Sequence, residues 1–145
     1  MSEALYLLGR IGHSTVAMPA DLVEAVLHID QAVPVPGAPS AVRGLVSIRS
    51  RVLVLIDSAA IVGEQADEPA RYMAITSVDG HSYACTLDGL DDVITLGDLQ
   101  PVPVVMQAGW RSVAQQVADH HGEAVLVIDP ARLVAAAAGN LALAA

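Results

Sequence analysis

Leu53-Val54-Leu55-Ile56-Asp57 is the stretch that decides the fold, because it returns as Val125-Leu126-Val127-Ile128-Asp129. In both places alanine follows the aspartate by two residues, and an aliphatic pair comes next (Ile61-Val62 and Leu133-Val134). An apolar run this short, closed by Asp, reads as a buried strand that ends in a turn. Outward from it, Arg43-Gly44-Leu45-Val46 has an echo in Arg111-Ser112-Val113-Ala114. Pro34-Val35-Pro36 recurs as Pro101-Val102-Pro103, and Gly12-His13-Ser14 as Gly80-His81-Ser82. The offsets are 72, 68, 67 and 68 residues, so the order is kept and one gap of four suffices. Matches in order at near-constant spacing indicate two copies of one unit. The seam falls in residues 63–70, where Glu64, Asp67, Glu68 and Pro69 make an acidic, turn-prone linker.

Within each unit the signals are short strands. Residues 5–8, 15–17, 52–56, 73–77, 82–87 and 124–128 are β-compatible and are separated by Gly, Pro and Asp. Such spacing favours small barrels or sandwiches. Pro19 with Asp21 behind it predicts a brief helical turn leading into residues 22–26. Pro130 predicts a C-terminal helix over 131–138, with Gly139 as its stop. Residues 110–121 read equally as a short helix or as a distorted strand and loop.

Composition narrows the function. The 145 residues are 54% hydrophobic and 16% charged, which suits a packed globule. Phe is absent and aromatics make up 3%, so small aliphatic side chains must fill the interior, which suits thin β-layers. The net charge is −9 and every basic residue is Arg. An acidic chain without a basic cluster is a poor ligand for nucleic acid or anionic membrane. The absence of Lys excludes a Walker-type phosphate loop, a Schiff-base enzyme and a phospho-receiver site. Cys85 is alone, so no internal disulfide is expected and a reducing compartment is. Residues 1–8 lack the pattern of a signal peptide, and no apolar run approaches a membrane span, so a cytoplasmic, non-inserted protein is expected.

Catalytic and metal chemistry find little support. His120-His121 diverge on either a strand or a helix, and no metal-ligand spacing accompanies them. His13 and His81 take matching places in the repeat and are expected at hairpin turns. Ser14 and Ser82 lack a nucleophile-elbow setting. Asp88, Asp91 and Asp92 are too irregular for a calcium loop. Asp57 and Asp129 sit where aspartate closes turns. No enzyme activity, metal or cofactor is expected; a small metal-dependent enzyme is the remote alternative.

Residues 35–57, from Val35-Pro36-Gly37-Ala38-Pro39 through Arg43-Gly44-Leu45-Val46-Ser47-Ile48-Arg49-Ser50 to Leu55-Ile56-Asp57, resemble the signature of the CheW family of chemotaxis coupling proteins. That signature runs approximately V-P-N-A-P, K/R-G-V-I-N-L-R-G, then an apolar strand ending in P-V-I-D. Leu22-Val23-Glu24-Ala25-Val26 is similar to the family's V-x-E-I stretch, and residues 87–93 to its V-D-x-V-x-D-V. The likeness runs from Leu5 to about Val134. It implies an all-β fold of two tandem SH3-like, five-stranded barrel lobes packed together, with short helical segments. Residues 1–145 would form one CheW-like domain. Residues 1–63 with part of the second copy's strands would be lobe one, and 70–145 lobe two.

The resemblance also implies a non-enzymatic adaptor that couples methyl-accepting chemoreceptors to the histidine kinase CheA. Its partners would be the kinase regulatory domain and the cytoplasmic receptor tip, the adaptor being recruited to membrane receptor arrays. The implied receptor groove comprises Val23, Ala25, Val26, Val42, Gly44, Leu45, Ser47, Ile48 and Arg49. Leu87, Asp88, Leu90 and Val93 would contribute from the second lobe. An apolar groove with polar rim groups suits an amphipathic helical hairpin, and the guanidinium of Arg49 can engage two acceptors at once. Three positions depart from the family pattern: Ala25 for the acidic residue, Ser47 for Asn and Ser50 for Gly. They motivate the alternative of a decoy or specialised coupler that binds the kinase but not standard receptors. An isolated SH3-like module with unrelated ligands would bind neither.

Overall fold

The computed structural model describes residues 4–103 and 105–144. Residues 1–3, part of the segment read above for a signal peptide, lie outside the described residues. The chain runs β1 (Leu5–Ile11), β2 (Ser14–Pro19), a 3-10 turn (Ala20–Leu22), β3 (Ala25–His28), β4 (Val42–Ile48), β5 (Arg51–Ile56) and α1 (Ser58–Val62). It continues through β6 (Tyr72–Val78), β7 (His81–Leu87), β8 (Gly89–Thr95), β9 (Gln100–Pro101), α2 (Ala108–Val113), β10 (Ala114–His120), β11 (Glu123–Ile128) and α3 (Pro130–Ala144).

The strands form two curled sheets, ordered β3-β6-β7-β5-β4 and β8-β1-β2-β11-β10-β9. Each closes on itself, as in an SH3-like barrel. In the first, the segment after β3 reaches β4, where Val33 and Leu45 exchange both backbone hydrogen bonds at 2.9 Å. In the second, β9 follows β8 and pairs with β10 through Gln116↔Pro101 and Val117↔Gln100. Both barrels are composite. The β6–β7 hairpin, from the second half of the chain, sits between β3 and β5 of the first. The β1–β2 hairpin, from the first half, sits between β8 and β11 of the second.

Alternation along strands distributes the aliphatic residues among three cores. Val46, Leu53, Leu55, Met73, Ile75 and Ala84 fill one barrel. Leu8, Ala17, Val125 and Val127 fill the other. The largest cluster lies between the lobes and joins both outer sheet faces to the three helices, through Leu7, Met18, Ile56, Cys85, Trp110, Ile128 and Leu133 among others. Leu55 and Ile56 therefore enter different cores, as do Val127 and Ile128. The run Leu-Val-Leu-Ile is continuous because both faces of the strand are covered.

The two-copy reading survives with a changed register. Strand pairing equates β1–β3 with β6–β8 at an offset of 67: Leu7↔Val93 corresponds to Ala74↔Val26, and Val127↔Ala17 to Leu55↔Ala84. From β4 onward the offset is 72, since Leu45↔Val54 corresponds to Val117↔Leu126. Two of the four sequence echoes are thus coincidental. Gly12-His13 form the β1–β2 turn, whereas Asp79-Gly80 form the β6–β7 turn, and His81 already stands in β7. The two Gly-His-Ser triplets are one residue out of step, and a one-residue slip turns side chains to the opposite face. Arg43–Val46 lies in β4, while most of Arg111–Ala114 lies in α2. The five extra residues of the second half fall before β10, where α2 contributes Trp110 and Val113 to the inter-lobe core.

The helices also differ from expectation. The turn after Pro19 ends at Leu22, and residues 25–28 are strand because they pair with β6 from Ala25↔Ile75 to His28↔Tyr72. Residues 110–121 contain both alternatives, helix to Val113 and strand to His120. The C-terminal helix passes through Gly139, which stops a helix only where it takes a left-handed backbone; Gly63 does so, at φ 78°, after α1.

Candidate partner-binding surfaces

The β4–β5 hairpin carries most of the implied groove residues. Its two-residue turn is Arg49-Ser50, with φ of 48° and 68°, so both residues are left-handed, as in the tight turns that match strand twist. The repeat-equivalent β10–β11 turn is His121-Gly122, with glycine in the second place. Arg49 is exposed and makes no hydrogen bond or ion pair with another described residue. Arg51 donates from Nη1 to Ser82 Oγ at 3.2 Å. Gly44 sits at a register shift in β4, where a Cβ would stand 2.5 Å from the Val33 carbonyl oxygen. The absent side chain is what lets the strand that closes the barrel approach.

The groove residues do not all share one surface. Ser47 and Ile48 line a cleft of about 300 Å³ at the barrel mouth, with Leu27, His28, Asp30, Gln31, Val46 and Met73. Val23 and Val26 are half-buried and pack against the inter-lobe core. Val42 pairs with Ile56 of that same core. Leu45 faces outward with Val33, which is 63% exposed. Ala25 and Glu24 are both exposed, and Glu24 donates its backbone N–H to Ile75 O at 2.7 Å.

Of the residues ascribed to the second lobe, Leu87 ends β7 in the first barrel, is 1% exposed and belongs to the inter-lobe core. Asp88 is half-buried and its Oδ2 accepts from the Gly12 N–H at 2.6 Å. Leu90 and Val93 are exposed, at 38% and 51%. Val93 and Val26 occupy equivalent positions in the two lobes, facing Leu7 and Ala74 respectively.

The sequence reading overlooked a second cleft of about 530 Å³, between Arg43, Asp57, Asp88 and the linker. Glu64 holds that linker down, with Oε2 accepting from the His13 N–H at 2.8 Å and Oε1 from the Ser14 hydroxyl. Arg43 Nη1 donates to Ala70 O at 3.1 Å. The acidic run was legible, but its fifty-residue reach to the β1–β2 turn left no local signal.

Asp57 and Asp129 cap helices: their Oδ1 atoms accept from the N–H groups of Ala60 at 3.2 Å and Ala131 at 2.9 Å. The His120 and His121 rings lie 4.2 Å apart where β10 enters its turn, His121 being left-handed at φ 53°. Among the described residues no group of three or more His, Cys, Asp or Glu is placed to hold a metal. Nor is any described helix long and apolar enough to cross a membrane. Burial pushes the Cys85 thiol up to about 12. The surfaces thus offer shaped clefts, apolar strips and, at the β4–β5 turn, the exposed guanidinium of Arg49, which are means of binding.

The model of the CheW-like domain matches residues 5–138. The chain is 26% identical over 124 residues to the chemotaxis protein CheW of Rhizobium meliloti (strain 1021), an alignment spanning 83% of this chain and 80% of that protein. Its fold is similar to that of the scaffolding protein TtCheW from Thermoanaerobacter tengcongensis, with a TM-score of 0.77 at 14% identity over 88% of this chain and 89% of the other. With both barrels inside the matched region, the chain belongs to the CheW-like domain family.

Proposed function

We propose that the chain is a chemotaxis scaffold, a non-enzymatic adaptor that couples chemoreceptors to a CheA-type histidine kinase. The observation that carries this reading is the extent of the family match, which takes in both barrels and the helices between them. A relative bearing the name chemotaxis protein CheW supports it, as does a scaffolding protein of the same fold.

The β4–β5 tip suits docking. Both turn residues are held left-handed between paired strands, so the Arg49 guanidinium is presented from a rigid base beside the barrel-mouth cleft of Ser47 and Ile48. Preorganisation of this kind lowers the entropy lost on binding. Val23 and Val26 border the inter-lobe core with side chains still partly free, Val93 is exposed at the position equivalent to Val26, and a helical receptor tip would cover such residues. Ala25 leaves the strand start without the family's carboxylate, while Glu24 presents one beside it. Calorimetric titration against the regulatory domain of the kinase and, separately, a receptor-tip fragment tests the proposal. Binding to both at micromolar or tighter affinity is expected; binding to neither would leave only the fold standing.

A further inference from the structure

We infer that a second copy of this chain is a partner by exchange of halves, giving a dimer in which each double barrel is built from two chains. The argument starts from the composite barrels. The β1–β2 hairpin pairs with β8 and β11, and the β6–β7 hairpin with β3 and β5, so neither half closes a barrel from its own strands. Each borrowed hairpin lies inside the other half's sheet, flanked on both sides. The halves also share the inter-lobe core, where Leu7, Met18 and Ile56 of the first meet Cys85, Trp110 and Leu133 of the second.

One covalent path joins the halves. It leaves α1 at the left-handed Gly63 and enters β6 at Tyr72. The Glu64 contacts to His13 and Ser14 lie within the first half and persist whichever second half is engaged. Only the course of residues 65–71 must change. Every hydrogen bond between the halves outside residues 65–71, including Gly12 to Asp88, re-forms between chains at the same register. Exchange of identical elements is therefore a low-cost route to a dimer. The balance depends on chain concentration against the effective concentration set by the linker, on the order of millimolar for a short flexible one. The exchanged dimer carries every partner surface twice, so it is a bivalent adaptor, and this follows from the fold whatever the partners are.

The test uses the full chain. Refolding from denaturant at about 1 mM is expected to yield a dimer with the monomer's circular dichroism, and refolding at about 1 μM a monomer. Because exchange requires the barrels to open, the dimer persists when diluted. Leu5 and Thr95 are exposed and directly paired between β1 and β8, so they report the connection. Leu5→Cys and Thr95→Cys chains refolded together at about 1 mM are expected to give a disulfide-linked heterodimer, at least about tenfold more than after refolding at about 1 μM. The double variant in one chain closes the same bridge internally at low concentration. A chain that stays monomeric at every concentration overturns the inference. So does a dimer that falls apart on dilution, or one that forms no disulfide between positions 5 and 95 of different chains while the double variant closes its own.

Discussion

Asp57 and Asp129 stand at the same place in two copies of one unit and cap helices of unequal length. Asp57 opens α1, which ends after five residues at Gly63; Asp129 opens α3, which runs fifteen residues to Ala144. α3 leaves β11 in one barrel and packs against β5, β6 and β7 of the other, so it ties the lobes together. α1 is too short for the matching role, and α2, present only in the second half, packs against both helices. At Gly109 a Cβ would stand 2.8 Å from Ile61 O, which shows how closely α2 approaches α1. The repeat supplies two similar barrels, and its departures from symmetry supply the clamp between them.

Ser50→Gly should stabilise the protein by about 1 kcal/mol, because Ser50 holds φ 68° where Gly122 stands in the other lobe. Urea denaturation measures it. A loss of stability would mean that the serine hydroxyl compensates for the strained backbone.

Gly44→Ala should cost about 1–3 kcal/mol, since the added methyl meets the Val33 carbonyl at 2.5 Å and must push the closing segment away. Hydrogen exchange should accelerate at Val33 and Leu45, which lose their paired bonds. Unchanged protection there would show that the strand adjusts without opening.

Leu55→Ala and Ile56→Ala should each cost about 2–5 kcal/mol, one emptying a barrel and the other the inter-lobe core. Both side chains are essentially inaccessible to solvent. A small effect at either would show that its core collapses around the cavity.

Cys85 should resist alkylation in the native protein at pH 8, because burial disfavours the thiolate and its pKa stands at about 12. An unfolded thiol releases its proton near the ordinary value of 9.0. Between those values the folded state binds the extra proton, so this residue makes stability fall as pH rises above 9. Cys85→Ala should flatten that part of the stability profile; rapid native labelling seen by mass spectrometry would contradict the burial.

Arg49→Ala should lower affinity for a partner by about tenfold while leaving stability within about 0.5 kcal/mol, since the side chain is exposed and without a described internal partner. Calorimetric titration and thermal melting on the same variant separate the two effects. A large drop in melting temperature would assign Arg49 to the fold.

Much of this architecture was readable in the linear chain. The doubled Leu-Val-Leu-Ile-Asp pattern, the Pro-Val-Pro echo and the frequent turns specified two small β-units, because alternation and turn chemistry are local properties. Residues 35–57 carried the family, and Arg49 was identified as a candidate contact. Other features depended on distant neighbours. Which Gly-His-Ser matched which was decided by the pairing of Ile11 with Ser14 and of Val78 with His81. Residues 25–28 became strand because β6 lay beside them, and Leu87 was drawn into the core between the lobes. The separation of Ser47 and Ile48 from Val23 and Val26, and the hold of Glu64 on the β1–β2 turn, depend on barrel closure. So does the exchange of hairpins between halves. A sequence alone sets each residue's conformational preference and which faces must be buried; only the closed barrels decide which buried face meets which, because those contacts join residues from 12 (Val33 and Leu45) to 110 (Val16 and Leu126) positions apart.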